Sequence, residues 1–241
     1  MVKDAQMSVY QKNKIPMTPA EAQSLLAHFQ VSSMDIGKFS NTVVTHMNLV
    51  EDRPYGLDTN MDFNEGIIDI SKNFPRWPQV NCQDDACFQA NQVHIESVPS
   101  DAKALEAANA FIEKYRISLA AYGAPYVDNE WRTEYDRTQD KSQAYVPETI
   151  SVVYPLRVDG MSVYEEFGQK KGITVGIDVK TGLVSQVNGI EKLDFSESKY
   201  AVETDPKKIL AQVEAGGRMS RPYPVDAIPP GIKTVTVEVR L

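Results

Sequence analysis

The chain has 241 residues and a formal net charge of −8 at neutral pH, with 42% hydrophobic and 24% charged residues. This composition is typical of a globular protein, and it excludes wholesale disorder, a fibrous repeat and a membrane bundle. The negative charge repels a phosphate backbone, and no basic cluster exceeds the pairs Lys170-Lys171 and Lys207-Lys208, so nucleic acid is not an expected partner.

The first elements of the chain are predicted to be a helix followed by strands. Thr18-Pro19-Ala20-Glu21 is a capping box with proline in the first turn, so a helix should begin there. Its apolar stripe consists of Ala22, Leu25, Leu26 and Phe29. Thr42–Val50 then predicts a strand rich in β-branched residues, and Met61–Ser71 predicts either a strand pair or one bent strand around Asn64-Glu65-Gly66.

The only two cysteines, Cys82 and Cys87, lie in a loop without periodicity. Three interpretations stay open: a disulfide, two free thiols, or a metal site completed by His94 and nearby acids, although the spacing matches no zinc signature. We expect the disulfide in the native protein. A disulfide would favour a location outside the cytoplasm, because thiols stay reduced inside it.

A second helix is predicted after a module boundary near Pro99. Ser100 or Asp101 can cap it, and it should run to Tyr115. Its apolar stripe consists of Ala104, Leu105, Ala108, Phe111, Ile112 and Tyr115. This is the longest apolar helical face in the chain, so we expect it to pack on the strands within residues 149–188.

The stretch Thr149–Phe195 carries the clearest strand and turn pattern. Residues 150–156 alternate as a half-buried strand, and 173–179 form a second strand in which Gly176 permits a close approach to the backbone. Asp178-Val-Lys-Thr-Gly182 then supplies a hairpin turn, because glycine tolerates the positive φ that such turns need. Two antiparallel strands should follow the second helix.

The C-terminal part of the chain predicts one more helix and one more strand. Asp205 as N-cap and Pro206 at the first helical position begin a helix that Gly216-Gly217 ends. Proline-rich residues then lead to 233–241, where Val235, Val237 and Val239 alternate with polar residues. We expect this strand to pair with the second module, or with another molecule.

The order helix, strand, strand thus occurs twice, which predicts an α+β protein. We expect two helix-on-antiparallel-sheet (α-β-β) modules. The first, residues 1–98, contains the cysteine loop. The second, residues 99–241, contains the additional helix and the terminal strand.

The segment from Gly172 to Val184, in which a strand ends in Asp-x-x-Thr-Gly, resembles PepSY-type modules. The resemblance covers about residues 100–195, and residues 18–71 show a weaker resemblance of the same kind. It implies a PepSY/cystatin-like fold and a role like that of the YycH/YycI-type extracytoplasmic regulators of bacteria, and it supplies no catalytic residues. The long insertion before Thr149 and the lack of an anchor depart from the pattern.

No membrane span is expected within the chain given. No apolar run approaches the roughly 18 residues that a spanning helix needs, and the polar start lacks the apolar core of a signal peptide. A lipoprotein or membrane-anchored precursor from which the leading segment has been removed is an alternative, because such a protein would start in the same way.

Metal and catalytic patterns are weak. Residues 58, 60, 62 and 64 are Asp, Asn, Asp and Asn, which is the spacing of ligands in a calcium-binding loop. Phe63, however, occupies the position where that loop needs glycine. The solvent-exposed face of a strand explains the alternation equally well. His28, His46 and His94 are isolated, and no nucleophile or phosphate-binding motif is present. We therefore predict no catalytic residue, no metal and no cofactor.

Aromatic residues in polar loops are the best candidates for binding a partner. They are Phe74, Trp77, Trp131 and Tyr135. The alternative is that they fold back onto the sheet. We expect a non-catalytic, extracytoplasmic bacterial binding or regulatory protein that acts through protein–protein contacts. The alternative is a hydrolase with dispersed acidic residues, which a deep cleft of converging acids would favour over an aromatic patch.

Overall fold

The structure is a computed structural model that describes residues 6–18, 21, 45–164, 168–201 and 203–215. The chain forms two compact units. The larger is Lys14–Leu193, and the smaller consists of Met1–Asn13 with Asp194–Leu241. The predicted stripe of the first helix, the predicted stop of the C-terminal helix at Gly216-Gly217 and the predicted strand at 233–241 lie outside the described residues.

The strands, in chain order, are β1 (Gln6–Lys12), β2 (His46–Val50), β3 (Leu57–Asp62), β4 (Ile67–Lys72), β5 (Tyr126–Val127), β6 (Thr149–Pro155), β7 (Arg157–Val158), β8 (Met161–Ser162), β9 (Gly172–Asp178), β10 (Val184–Glu191) and β11 (Phe195–Ala201). The α-helices are α1 (Asp85–Asn91), α2 (Asp101–Lys114), α3 (Glu130–Arg137) and α4 (Pro206–Glu214). Short 3₁₀ turns lie at Phe74–Arg76 and Ile95–Ser97. Both helices and antiparallel strands are present, so the α+β class is confirmed.

The larger unit is built on one seven-stranded sheet with the order β2-β3-β4-β10-β9-β6-β5. All neighbouring strands are antiparallel. Strands from both sides of the expected boundary near Pro99 meet in it, since Ile70 of β4 pairs with Val187 of β10. The arrangement as two PepSY/cystatin-like modules is therefore not confirmed. Local turn signals predict hairpins, but they do not tell which hairpin edges join.

One face of the sheet is apolar and is covered by α2. A buried row crosses five strands through Val152, Val175, Val187, Ile70 and Thr59. The predicted helix over Ser100–Tyr115 is confirmed as α2, and its buried side chains are Ala104, Ala108, Phe111 and Ile112. Burying the larger two contributes roughly 1.5–3 kcal/mol each to stability.

At β3, the opposite face of the sheet is polar. On β3, the buried residues Leu57, Thr59 and Met61 alternate with the more accessible Asp58, Asn60 and Asp62. The calcium-like spacing is thus the alternation of a strand with one wet face. Asp62 Oδ1 accepts hydrogen bonds from the backbone amides of Asn64 and Glu65, at 2.9 and 3.0 Å, and so closes the β3–β4 hairpin.

The predicted hairpin between β9 and β10 is confirmed. Asp178 Oδ1 accepts from both the amide and the hydroxyl of Thr181, each at 2.9 Å, and Gly182 adopts a φ of 68°. The close approach expected at Gly176 is also present. A Cβ at that position would lie 2.5 Å from Gln186 Cγ and 2.7 Å from Thr149 Cγ2, which leaves room for glycine alone.

Two predicted helix starts are confirmed. The amide of Glu21 donates to Thr18 Oγ1 at 3.3 Å, and the amide of Thr18 donates to Glu21 Oε2 at 2.8 Å, as in a capping box. Asp205 Oδ1 accepts from the amide of Lys207 at 2.9 Å at the start of α4. Helix α3 was not expected, because its stretch reads as a polar loop with scattered aromatics.

Helix α2 ends in an unusual way. Ile117 N donates to Ile112 O and Arg116 N donates to Glu113 O, each at 3.0 Å, which is a Schellman motif. The left-handed residue of this motif is usually glycine, but here it is Arg116, with a φ of 50°. The left-handed conformation costs an arginine roughly 1–2 kcal/mol. A cation near a helix C-terminus gains only about 0.3–1 kcal/mol, so the dipole alone does not explain the residue.

The smaller unit contains β1 and β11, which pair antiparallel from Gln6 with Ala201 to Lys12 with Phe195, and helix α4. Its strand β11 is largely exposed, and Tyr200 is 58% accessible. Among the described helices of the whole chain, none has the length and apolar character to cross a bilayer.

Candidate functional site

The cysteine loop is closed by a disulfide. Cys82 and Cys87 are bonded, with an S–S distance of 2.02 Å, so the predicted bridge is confirmed. The two thiols are therefore neither free nor available as metal ligands. In the described part of the chain, no group of three or more His, Cys, Asp or Glu side chains is placed to hold a metal ion.

Helix α1 is braced at both ends. At its start, Asp84 caps it by accepting from the amide of Cys87 at 2.8 Å. Near its end, Asn91 Nδ2 donates to Cys87 O at 2.9 Å, and Lys180 Nζ from the β9–β10 turn donates to Asn91 O at 2.8 Å. A helix of seven residues would not persist alone in water, so these contacts are what fix it.

Large apolar side chains stand exposed beside this braced helix. Val80 is 49% accessible, Phe88 is 62% accessible and Tyr145 is 66% accessible. With the amide side chains Gln89, Gln92 and Gln143, they line a groove of about 800 Å³, which we call the disulfide groove. Its walls come from residues 80–93, residues 143–149 and Lys180.

The chemistry of the disulfide groove suits binding. Removing its apolar side chains from water lowers the free energy of the complex. Its side-chain amides can both donate and accept hydrogen bonds. Exposed apolar side chains grouped in this way mark interaction sites more often than single exposed residues do. Glu148 and Lys180 supply one charge of each sign, so the groove has no strong net charge.

The predicted binding residues Phe74 and Trp77 are placed differently from each other. Phe74 is 57% exposed, and the Lys72 ammonium lies 5.1 Å from its ring centroid. Trp77 is only 5% exposed, and its Nε1 donates to Gly56 O at 2.7 Å. The folded-back alternative therefore describes Trp77, whereas a binding role for Phe74 stays a prediction.

The second predicted pair, Trp131 and Tyr135, lies on α3. The two rings meet edge to face with their centroids 6.3 Å apart, and Trp131 packs against the core. Its Nε1 is buried and has no acceptor among the described residues. Tyr135 is half-buried under the Lys141 ammonium, which lies 4.7 Å from its ring centroid. Their role in binding a partner also stays a prediction.

Sequence reasoning missed Phe88 and Tyr145, which lie far apart in the chain. The available signal was an aromatic residue directly after Cys87, on a short helix that Asp84 can cap. Nothing in the sequence indicated that Tyr145 would lie beside this helix. Only the pairing of β6 with β9 and the turn at Lys180 bring the two segments together.

Three titratable groups of the larger unit, His46, Asp62 and Tyr154, serve structure. His46 Nε2 lies 3.0 Å from Asp62 Oδ2 on neighbouring strands. The backbone amide of Glu65, followed by the charge on His46, lowers the pKa of Asp62. Burial raises the pKa of Tyr154 to about 12, and its hydroxyl donates to Asn109 Oδ1 at 2.8 Å. Each group is explained by the hairpin or the core that it stabilises.

Comparison with known proteins supplies no relative from which a function can be taken. No family model matches the chain, and neither a curated protein nor a solved structure matches it. A function is therefore inferred from the geometry of the described residues.

Proposed function

We propose that this chain is a non-catalytic binding or regulatory protein that acts through protein–protein contacts outside the bacterial cytoplasm. The observation that carries the proposal is the disulfide groove, in which Val80, Phe88 and Tyr145 are about half to two-thirds exposed. Exposing these apolar side chains to water has an unfavourable free energy. A partner that covers them removes this cost.

The backbone that carries the groove is held by several contacts. The disulfide, the Asp84 cap and the Lys180 contact hold the backbone of α1, from which the Phe88 side chain projects. In the chain, Tyr145 lies between Ala144 and Pro147, which are both buried. A backbone that is ordered before binding lowers the entropy lost when a complex forms, so a small surface can support specific recognition.

The partner that fits is a protein surface with a bulky apolar side chain and neighbouring backbone amides. The apolar side chain would occupy the space between Phe88 and Tyr145. The amide side chains of Gln89, Gln92 and Gln143 can then pair with backbone N–H and C=O groups of the partner. A strongly charged partner is disfavoured, since the groove offers one charge of each sign.

Two further observations support the location and the class. A disulfide persists in oxidising compartments, which favours a place outside the cytoplasm.

The resemblance to PepSY-type modules rests on an element order that the structure contains. Helix α2 is followed by the antiparallel strands β6, β9 and β10, with the Asp178–Gly182 turn between the last two. Members of that class include extracytoplasmic regulators, so the resemblance supports the same role.

Photo-cross-linking tests the proposal. A benzophenone amino acid is placed at position 88 of the full chain in the cells that make the protein, and the same group is placed at position 161 as a matched control. Met161 is 56% exposed on the β7–β8 hairpin and does not line the groove. We expect position 88 to trap one protein of constant mass, and position 161 not to trap it.

A second variant separates binding from misfolding. Tyr145→Ser removes an exposed ring that no hydrogen bond within the described residues holds, so the fold should be retained while the cross-link from position 88 is lost. Equal cross-linking from positions 88 and 161, or none from either, would overturn the proposal. Trapping of a second copy of this chain would identify the groove as a self-association surface and would contradict a foreign partner.

A further inference from the structure

A second cavity lies in the larger unit, on the apolar face of the sheet beyond the end of α2. Its volume is about 440 Å³, within the range of roughly 300–1,000 Å³ that is typical of small-molecule sites. The sheet contributes Ile68, Ile173 and Ile190, and the segment after α2 contributes Ile117 and Ala121. The interior is therefore mainly aliphatic.

Charged side chains line this cavity, and among the described residues all but one of them are paired. Lys192 Nζ lies 2.8 Å from Glu21 Oε1, and Lys171 Nζ lies 3.2 Å from Glu191 Oε1. Both acidic residues in the described lining, Glu21 and Glu191, are thus paired with a lysine. Arg116 also lines the cavity, and its guanidinium makes no ion pair or hydrogen bond within the part of the chain that the structure describes.

The position of Arg116 points to a role outside the helix. It occupies the left-handed site of the α2 Schellman motif with a φ of 50°, where glycine is free of strain. Strained residues that persist in a fold concentrate at ligand sites, because the strain is retained for a function. An unpaired arginine at the mouth of an aliphatic cavity is complementary to a negative group on an apolar molecule.

Tyr122 supplies a second donor at the same cavity. It lines the cavity, and its hydroxyl has no hydrogen bond within the described residues. Burial, followed by the charge on Glu191, raises the pKa of Tyr122 to about 12, so the phenol stays protonated and able to donate. Arg116 and Tyr122 together offer charged and neutral donors of the kind that hold a carboxylate.

We propose that this cavity binds an apolar molecule that carries a single carboxylate, of which a medium-chain fatty acid is the simplest case. The aliphatic chain lies against Ile68, Ile173 and Ile190, and Arg116 binds the carboxylate. The site is separate from the disulfide groove, since the two share no lining residue. It is independent of the proposed protein partner.

Titration calorimetry of the full chain at neutral pH tests the proposal, with dodecanoate and dodecanol as probes below the concentrations at which they aggregate. We expect dodecanoate to bind and Arg116→Gly to weaken it by about ten- to hundredfold, because a charge-assisted contact is lost. Dodecanol, which lacks the charge, should bind equally to both proteins. Glycine suits the left-handed backbone, so this variant should fold at least as stably as the wild type.

Three further variants complete the experiment. Arg116→Lys should restore part of the dodecanoate affinity, because it retains the charge. Arg137→Ala removes an exposed arginine from the end of α3, away from the cavity, and should leave both affinities unchanged. Ala121→Trp should fill the cavity and abolish binding of both probes. No dodecanoate binding by the wild type, or equal binding by wild type and Arg116→Gly, would overturn the proposal.

Discussion

The indole Nε1 of Trp77 donates a hydrogen bond of 2.7 Å to the carbonyl oxygen of Gly56. That carbonyl also accepts from the amide of Asn73 at 3.0 Å, so the loop after β4 is fastened to the turn before β3 at two points. The ring of Tyr55 meets the indole edge to face with centroids 5.4 Å apart. A residue that the sequence offered as a binding surface therefore joins two loops of the core.

Trp77→Phe should destabilise the protein, whereas Phe74→Ala should not. The first change removes a buried hydrogen bond and part of a core ring, which should cost about 1–3 kcal/mol. The second removes an exposed ring whose contact with Lys72 is worth about 1 kcal/mol at most. Urea denaturation of both variants checks the prediction. Equal loss of stability in the two variants would contradict the different placement of the two rings.

Ile112→Asp should unfold the larger unit. Ile112 is a buried residue of α2 and is only 5% exposed, so the lost packing costs about 2–5 kcal/mol, and burying a carboxylate costs more in addition. Thermal melting followed by circular dichroism measures the effect. The exposed neighbour Glu113→Gln is the control and should melt like the wild type. An unchanged melting temperature for Ile112→Asp would show that α2 does not cover the sheet.

Replacing both Cys82 and Cys87 with serine should loosen α1 more than it loosens the sheet. Loss of a bridge over so short a loop should cost roughly 2 kcal/mol on the chain-entropy model. Hydrogen exchange should therefore quicken at residues 85–91 and stay slow in β9. Asp84→Ala, which keeps the bridge and removes the cap, should give a smaller effect of about 1 kcal/mol. Unchanged exchange in α1 would mean that the disulfide does not hold it.

Glu21 should make stability depend on pH under acidic conditions. The hydrogen bond from Lys192, followed by those from Thr18, lowers its pKa from 4.5 to about 2. A lowered folded-state pKa stabilises the fold above the unfolded value, so this stabilisation is present above pH 4.5 and is lost as the pH falls toward about 2. Because Glu21 is 45% exposed, salt should reduce the effect.

Glu21→Gln keeps the capping geometry and removes the charge. Denaturant melts of the wild type and this variant should therefore differ near neutral pH and converge in acid. A constant difference across the whole range would show that the charge on Glu21 does not contribute to stability.

The parts of the fold that the sequence predicted depend on neighbouring residues. The Thr18–Glu21 cap, the stripe of α2 and the Asp178–Gly182 turn each follow from backbone preferences within a few positions. The pairing of β4 with β10 was not predicted. The edge strand of a hairpin offers the same backbone N–H and C=O groups to any neighbour, so the local sequence does not specify which strand pairs with it. The same limit explains Trp77, whose burial depends on a carbonyl 21 residues earlier in the chain.

The candidate sites were less predictable than the fold. The Cys82–Cys87 bridge could be expected because a close pair of cysteines has few alternatives. The disulfide groove needs Phe88 and Tyr145 together, and the second cavity needs the end of α2 beside β9 and β10. Sites assembled from separate segments become visible only after the sheet order is known.

The pairing of Ile70 with Val187 also has a consequence for how the protein folds. The hairpins β3–β4 and β9–β10 can form early, because the strands of each hairpin lie close together in the chain. The contact between the hairpins must wait until residue 187 has been synthesised, and closing so long a loop is slow. Until then, β4 exposes an unpaired edge next to Ile68 and Ile70, which is a template for pairing with other chains. Truncated products that end before β10 should therefore aggregate rather than survive as a smaller folded domain.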